Sequence, residues 1–132
     1  MVRASLPTQI WVKAASASYP IYVGENLLSN EQLSGCLSGR QVFIITNETI
    51  APLYLPFLEQ ALNVDKINHC ILPDGEEYKN IDSIQQICRE MIKRNLHRSA
   101  IVVALGGGVV CDMSGFAASC YQRGVDFLMI PT

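Results

Sequence analysis

The stretch that most constrains the fold is Ala100-Ile101-Val102-Val103-Ala104-Leu105, followed at once by Gly106-Gly107-Gly108 and an apolar segment with helical spacing. A short apolar run bounded by glycine reads as a strand buried on both faces. A strand, a glycine turn and a helix N-terminus in that order build a cradle for a phosphate or pyrophosphate. Gly106-x-Gly108-x-x-Cys111 would complete the dinucleotide fingerprint G-x-G-x-x-G, but cysteine stands at its last position. Taken alone, the turn either binds an anionic ligand or is a tight connection that binds nothing.

The rest of the chain repeats the same alternation. Gln9 to Ala15 and Tyr19 to Val23 read as a β-hairpin, with Pro20 marking an edge position. Residues 25–40 read as short helical turns. Val42-Phe43-Ile44-Ile45 is a buried strand ending at Thr46-Asn47, and Thr49 to Leu62 reads as a helix with Pro52 in its first turn. Pro56 predicts a kink or a delayed start. Ile67 to Leu72 is a strand closed by Pro73-Asp74-Gly75, which is turn chemistry. Ile81, Ile84, Cys88, Met91 and Ile92 then mark a helix face, capped by Asn80 or Asp82. A helix from Val109 to Gln122, stopped by Gly124, leads to a last strand, Val125 to Ile130. The predicted fold class is α/β: a Rossmann-like, mostly parallel sheet with flanking helices, preceded by an N-terminal β-hairpin.

Composition narrows the function. A chain of 132 residues, 49% hydrophobic, is enough for one soluble domain with a core. A net charge of −2 argues against nucleic acid as a partner. Lys93, Arg94, His97 and Arg98 read as a solvated helix end rather than a binding patch. No segment approaches the roughly 18 to 20 apolar residues that span a bilayer, so no membrane is expected. The N-terminus, with one Arg and no apolar core, does not read as a signal peptide. Five cysteines without C-x-x-C spacing read as buried thiols, and the cytoplasm is the expected compartment. Trp11 and the tyrosines read as core or rim, and His69 and His97 have no ligand-like spacing.

In open α/β sheets, ligands bind beyond the carboxyl ends of the strands. That rule gathers loops 46–49, 73–79 and 106–108. Asp112, in the first turn of its helix, either stabilises the helix dipole or accepts from substrate hydroxyls. Arg123 lies roughly 16 Å further along the same helix at about 1.5 Å of rise per residue. One small substrate could hardly touch both in one subunit. Asp74-Gly75-Glu76-Glu77-Tyr78-Lys79 is either a solvated turn or a ribose- and phosphate-binding loop. The chain stops two residues beyond a buried-type strand, at what should be an active-site edge, and reads as a segment of a longer enzyme.

Three blocks carry a resemblance. Gly106-Gly107-Gly108-Val109-Val110-x-Asp112-Met113-x-Gly115-Phe116-Ala117-Ala118, continuing to Tyr121-Gln122-Arg123-Gly124 and Pro131-Thr132, resembles the 3-dehydroquinate synthases. So do Thr46-Asn47-Glu48-Thr49-Ile50-Ala51-Pro52-Leu53-Tyr54 and Leu72-Pro73-Asp74-Gly75-Glu76-Glu77-Tyr78-Lys79. The resemblance covers about the first third of such an enzyme. It implies that residues 1–132 form one NAD-binding N-terminal domain, with the metal-binding C-terminal domain absent from this sequence.

The family converts 3-deoxy-D-arabino-heptulosonate 7-phosphate into 3-dehydroquinate and phosphate, in the shikimate pathway of aromatic amino acid biosynthesis. The resemblance implies recycled NAD and a divalent metal, zinc or cobalt, whose ligands lie outside this sequence. It places NAD contacts on Asn47, on Asp74, Gly75, Glu76, Glu77, Tyr78 and Lys79, on Gly107, Gly108, Val109, Val110 and Cys111, and on Thr132. It makes Asp112 a substrate contact and Arg123 a phosphate ligand across a homodimer interface. The implied partner is a sugar-phosphate substrate. The isolated segment is expected to be inactive and to hold no metal. Other readings are a cyclase of sedoheptulose 7-phosphate and a non-catalytic nucleotide-binding remnant. Cys111 stands where the family has glycine, and three effects are open: crowding of the pyrophosphate, neutrality, or a reactive thiol with a depressed pKa.

Overall fold

The computed structural model describes residues 6–29, 31–62 and 67–132. Part of the stretch read against a signal peptide, residues 1–5, lies outside them, as does residue 30 of the short helical region. The chain runs β1 (Thr8–Lys13), β2 (Ser18–Val23), α1 (Glu31–Leu37), β3 (Val42–Asn47), α2 (Ala51–Ala61), β4 (Asn68–Leu72), α3 (Ile81–Lys93), β5 (Ile101–Gly106), α4 (Gly108–Cys120) and β6 (Asp126–Pro131). Short 3-10 turns occupy Leu27–Ser29, Glu76–Tyr78 and Tyr121–Arg123. Among the described residues no helix is long and apolar enough to cross a membrane.

The main sheet has the order β4-β3-β5-β6 with every pairing parallel. All six residues of β5 are buried, because it lies between β3 and β6 with helices over both faces. Phe43, Ile45, Val102 and Ala104 pack on one face with Ile87 and Met91 of α3 and with Val110, Met113 and Ala117 of α4. Ile44, Val103 and Leu105 pack on the other with Leu37 of α1 and Leu55 and Leu58 of α2. The predicted architecture is therefore the observed one.

Local chemistry accounts for most boundaries. Asn80 caps α3, its Oδ1 accepting from the Ser83 N–H at 3.0 Å. Proline does not break α2: Pro56 and Pro52 both face solvent, so water can satisfy the Pro52 carbonyl that Pro56 leaves without a donor. Gly115 lets α4 approach β6, since a Cβ there would stand 3.2 Å from the Phe127 ring.

Three expectations need correction. The buried stripe of α3 is Ser83, Ile87 and Met91, whereas Ile81 and Ile92 are exposed; they lie more than 100° around the helix from Ile87. The hairpin forms its own two-stranded antiparallel sheet, pairing Trp11 with Pro20, and Trp11 is 59% exposed rather than core. Of the cysteines only Cys70 is buried; Cys36 and Cys120 are exposed and Cys88 and Cys111 half-buried.

The end of α4 differs too. The helix stops at Cys120, and Gln122 and Arg123 adopt left-handed conformations with φ of 49° and 63°. Tyr121 is drawn into the core, its hydroxyl donating to the Leu96 carbonyl at 2.9 Å, while Val125 N–H returns to the Ala118 carbonyl. The helical projection from Asp112 therefore applies only as far as Cys120.

Candidate functional site

The carboxyl ends of all four parallel strands meet on one side of the sheet. Backbone bonds tie them together: Glu48 N–H donates to the Leu72 carbonyl at 3.0 Å, and Thr132 N–H to the Gly106 carbonyl at 3.2 Å. Asn47, the 74–79 loop, the glycine turn and Thr132 are thus brought to one rim, as the strand-end rule requires.

The glycine turn divides its labour. Gly106 has φ +155°, and a Cβ on it would lie 3.0 Å from the buried Val110 side chain, so this glycine serves the turn itself. Gly107 and Gly108 are exposed, and a Cβ on either would meet nothing within 4 Å. Their bare backbone therefore faces open space at the head of α4. Gly107 is the N-cap and has no side chain to satisfy the first helical donors. The first intrahelical bond is Cys111 N–H to the Gly107 carbonyl, which leaves the N–H groups of Gly107, Gly108, Val109 and Val110 for a ligand. The positive end of a 13-residue helix stands behind them. These residues fit a dinucleotide pyrophosphate.

The same geometry restricts two expected contacts. The Val110 side chain is buried, so only its N–H can face a ligand. Cys111 has spent its N–H, and its sulfur packs on the core with Sγ 3.7 Å from the Gly106 carbonyl. Burial, followed by the charge of Asp112, pushes the Cys111 thiol up rather than down. The depressed-pKa reading is thereby corrected: desolvation of the thiolate outweighs the helix end. Less thiolate is present at pH 7, so iodoacetamide should alkylate Cys111 more slowly than exposed Cys36. Peptide mapping over time checks this, and Cys111 labelling first would contradict it.

Two ion pairs close the rim. Lys79 Nζ lies 2.7 Å from Asp112 Oδ2 and 3.6 Å from Glu76 Oε1, joining the β4 loop to α4. Because the helix starts at Gly108 rather than Val109, Asp112 lies past the first turn in which it was expected. The hydrogen bond and charge of Asp112 hold the Lys79 ammonium above its ordinary pKa. At Gly75, with φ +141°, a Cβ would meet the Glu77 carboxyl at 3.3 Å, so the loop folds back on itself there. Tyr78 carbonyl accepts from Ser83 Oγ at 2.6 Å, anchoring the loop to α3. Arg123 is exposed and, among the described residues, has no side-chain partner in a hydrogen bond or ion pair.

Asn47 is 8% exposed, and its amide is engaged within the protein. Its Oδ1 accepts from the N–H groups of Thr49 and Ile50 at 3.1 and 2.9 Å, and its Nδ2 donates to Asp74 at 3.2 Å. Thr49 and Glu48 also reach Asp74, and sequence reasoning gave neither a role. The spacing Asn47-x-Thr49 is the local signal of such a turn.

Among the described residues no group of three or more His, Cys, Asp or Glu side chains could hold a metal, so no step is derived through one. Two clefts lie elsewhere. One, of about 460 Å³, sits at the opposite ends of the strands beside Arg40, His97 and Asp126; the other, of about 450 Å³, lies between α3 and the end of α4. Neither is lined by a residue of the glycine turn or of the 74–79 loop.

Residues 69–132 match the family model described as 3-dehydroquinate synthase N-terminal. The chain is 48% identical over 126 residues to a 3-dehydroquinate synthase of Shewanella sp. (strain MR-4), covering 94% of this chain and 35% of that protein. It is 50% identical over 122 residues to one of Pseudomonas entomophila (strain L48), covering 92% and 33%. Among solved structures it resembles a 2-deoxy-scyllo-inosose synthase complexed with carbaglucose-6-phosphate, NAD+ and Co2+. That likeness has a TM-score of 0.83 at 21% identity, over 95% of this chain and 35% of the other, and concerns the fold. It also resembles ValA, a 2-epi-5-epi-valiolone synthase from Streptomyces hygroscopicus with NAD+ and Zn2+ bound, with a TM-score of 0.76 at 30% identity over 91% and 34%. The chain spans about a third of the length of the curated relatives it matches. By these matches the chain is similar to the N-terminal region of 3-dehydroquinate synthases, whose family model it meets from His69 to Thr132.

Proposed function

We propose that this chain is the NAD-holding part of a 3-dehydroquinate synthase, an enzyme that turns 3-deoxy-D-arabino-heptulosonate 7-phosphate into 3-dehydroquinate and phosphate. The observation that carries this reading is the open space in front of Gly107 and Gly108 at an uncapped helix head. The relatives at 48% and 50% identity favour this reaction over the other cyclases, which match at 21% and 30%.

Bound NAD would supply reversible oxidation of a substrate hydroxyl. The residues of this chain act around that chemistry. The N–H groups of Gly107 to Val110 bind the pyrophosphate, and Thr132 stands beside them through its bond to Gly106. Asp74, Glu76 and Glu77 offer acceptors to ribose hydroxyls, and Tyr78 shapes the loop from which they project. Asp112 faces the substrate. Its bond to Lys79 orients the carboxylate as an acceptor for a substrate hydroxyl. Arg123, exposed and free of partners among the described residues, is suited to a phosphate in a neighbouring subunit of a homodimer. Cys111 is tolerated, because its sulfur turns toward the core and the Gly106 carbonyl. Among the described residues no cluster would hold the zinc or cobalt that the relatives' chemistry implies.

Titration calorimetry with NAD tests the reading. One saturable site is expected; no heat of binding up to millimolar NAD would refute it.

A further inference from the structure

Asp74 stands at the junction of two strand ends and is held from three sides. Its Oδ2 accepts from Thr49 Oγ1 at 2.8 Å and its Oδ1 from Asn47 Nδ2 at 3.2 Å. Its backbone N–H reaches Glu48 Oε1 at 3.4 Å. The orientation of the Asn47 amide follows from the network. Two backbone N–H groups converge on one end of it, so that end is the oxygen and the nitrogen must face the carboxylate. Asn47 is itself buried and fixed to the start of α2, so it transmits the rigidity of β3 and α2 to a side chain on an exposed loop.

We propose that Thr49 and Asn47 are positioning residues that clamp the Asp74 carboxylate as a preset acceptor for a ribose hydroxyl. This rests on the reading of the rim as an NAD site. An ionised carboxylate offers about four acceptor positions, and the clamp occupies two. The remaining lone pairs face the rim without loss of the clamp. A carboxylate already fixed in one rotamer loses less freedom when a ligand binds, which is how preorganisation raises affinity.

The surroundings add a specificity. Glu48, Asp74, Glu76 and Glu77 crowd the carboxyl ends of β3 and β4, and Lys79, the cation of the 74–79 loop, is bonded to Asp112 and Glu76. A second phosphate on the ribose would face fixed negative charge, with the Lys79 ammonium already engaged. The clamp therefore selects NAD over its 2′-phosphorylated form, NADP.

The test titrates NAD and NADP into the chain and three variants while following their melting temperatures. Thr49→Val keeps the shape and removes the donor; it should weaken NAD about three- to tenfold with the melting temperature unchanged. Thr49→Ser, which keeps the hydroxyl, should bind within about twofold of the parent. Asp74→Asn should cut the preference for NAD over NADP by about fivefold or more. Equal NAD affinity of Thr49→Val and the parent, or failure of Thr49→Ser to rescue, would overturn the clamp and leave the cofactor site standing. An unchanged NAD to NADP ratio in Asp74→Asn would overturn the selectivity. If the parent chain binds no NAD, the reading of the rim falls and the clamp with it.

Discussion

Gly106→Ala should destabilise the chain by about 2–6 kcal/mol, a larger loss than its single added methyl would suggest. The residue has φ +155°, where a Cβ is strained, typically by about 1–3 kcal/mol. The new Cβ would also stand 3.0 and 3.1 Å from Cγ2 and Cβ of Val110, which is 2% exposed and cannot swing away. Overpacking of that kind adds about 1–3 kcal/mol. Chemical denaturation checks the value, and a midpoint equal to the parent's would contradict the assignment of Gly106 to the turn. The effect is on folding, because Gly106 ends a fully buried central strand and accepts the Thr132 N–H.

One residue later the expected result is reversed. Gly107→Val should leave stability within about 1 kcal/mol of the parent, since Gly107 has φ −79° and a Cβ there meets nothing within 4 Å. NAD affinity, however, should fall at least about tenfold, because the branched side chain would fill the space where the backbone has to approach the pyrophosphate. The affinity comes from calorimetry and the stability from denaturation of the same samples. Loss of stability in step with affinity would mean that the glycine serves the fold. Unchanged affinity would mean that the open space is not a binding site. The two variants separate the uses of neighbouring glycines that a motif treats as equivalent.

The strand, turn and helix around these glycines were legible in the sequence because each link is local. β5 is buried on both faces, so its composition is continuous rather than alternating. The helix after it begins where three glycines end an apolar run. The clustering of the 74–79 loop with the turn was also legible, since parallel strands bring their carboxyl ends to one side.

What was not legible depends on tertiary neighbours. Tyr121 and Gln122 have no local signal that ends a helix, and the break follows from the Tyr121 hydroxyl reaching Leu96 and Met91 across the core. Alternation in β1 and β2 predicted pairing but said nothing of what would cover Trp11 or Ile21, both exposed. The Thr49–Asp74 bond joins residues 25 positions apart, and only the parallel register of β3 and β4 makes them neighbours. Cys111 was misjudged for a related reason. A helix N-terminus lowers a thiol pKa only where the sulfur faces the helix end, and here it packs against the core.

If the bare backbone of the glycine turn holds the cofactor, the amides of that turn must sense it. A 15N–1H correlation titration of the chain with NAD tests this most directly. The largest shifts are expected at the amides of Gly107, Gly108, Val109 and Val110, with a second group at 74–79 and little change beside Arg40 and His97. Shifts centred on that opposite cleft, or none at the glycine amides, would contradict it.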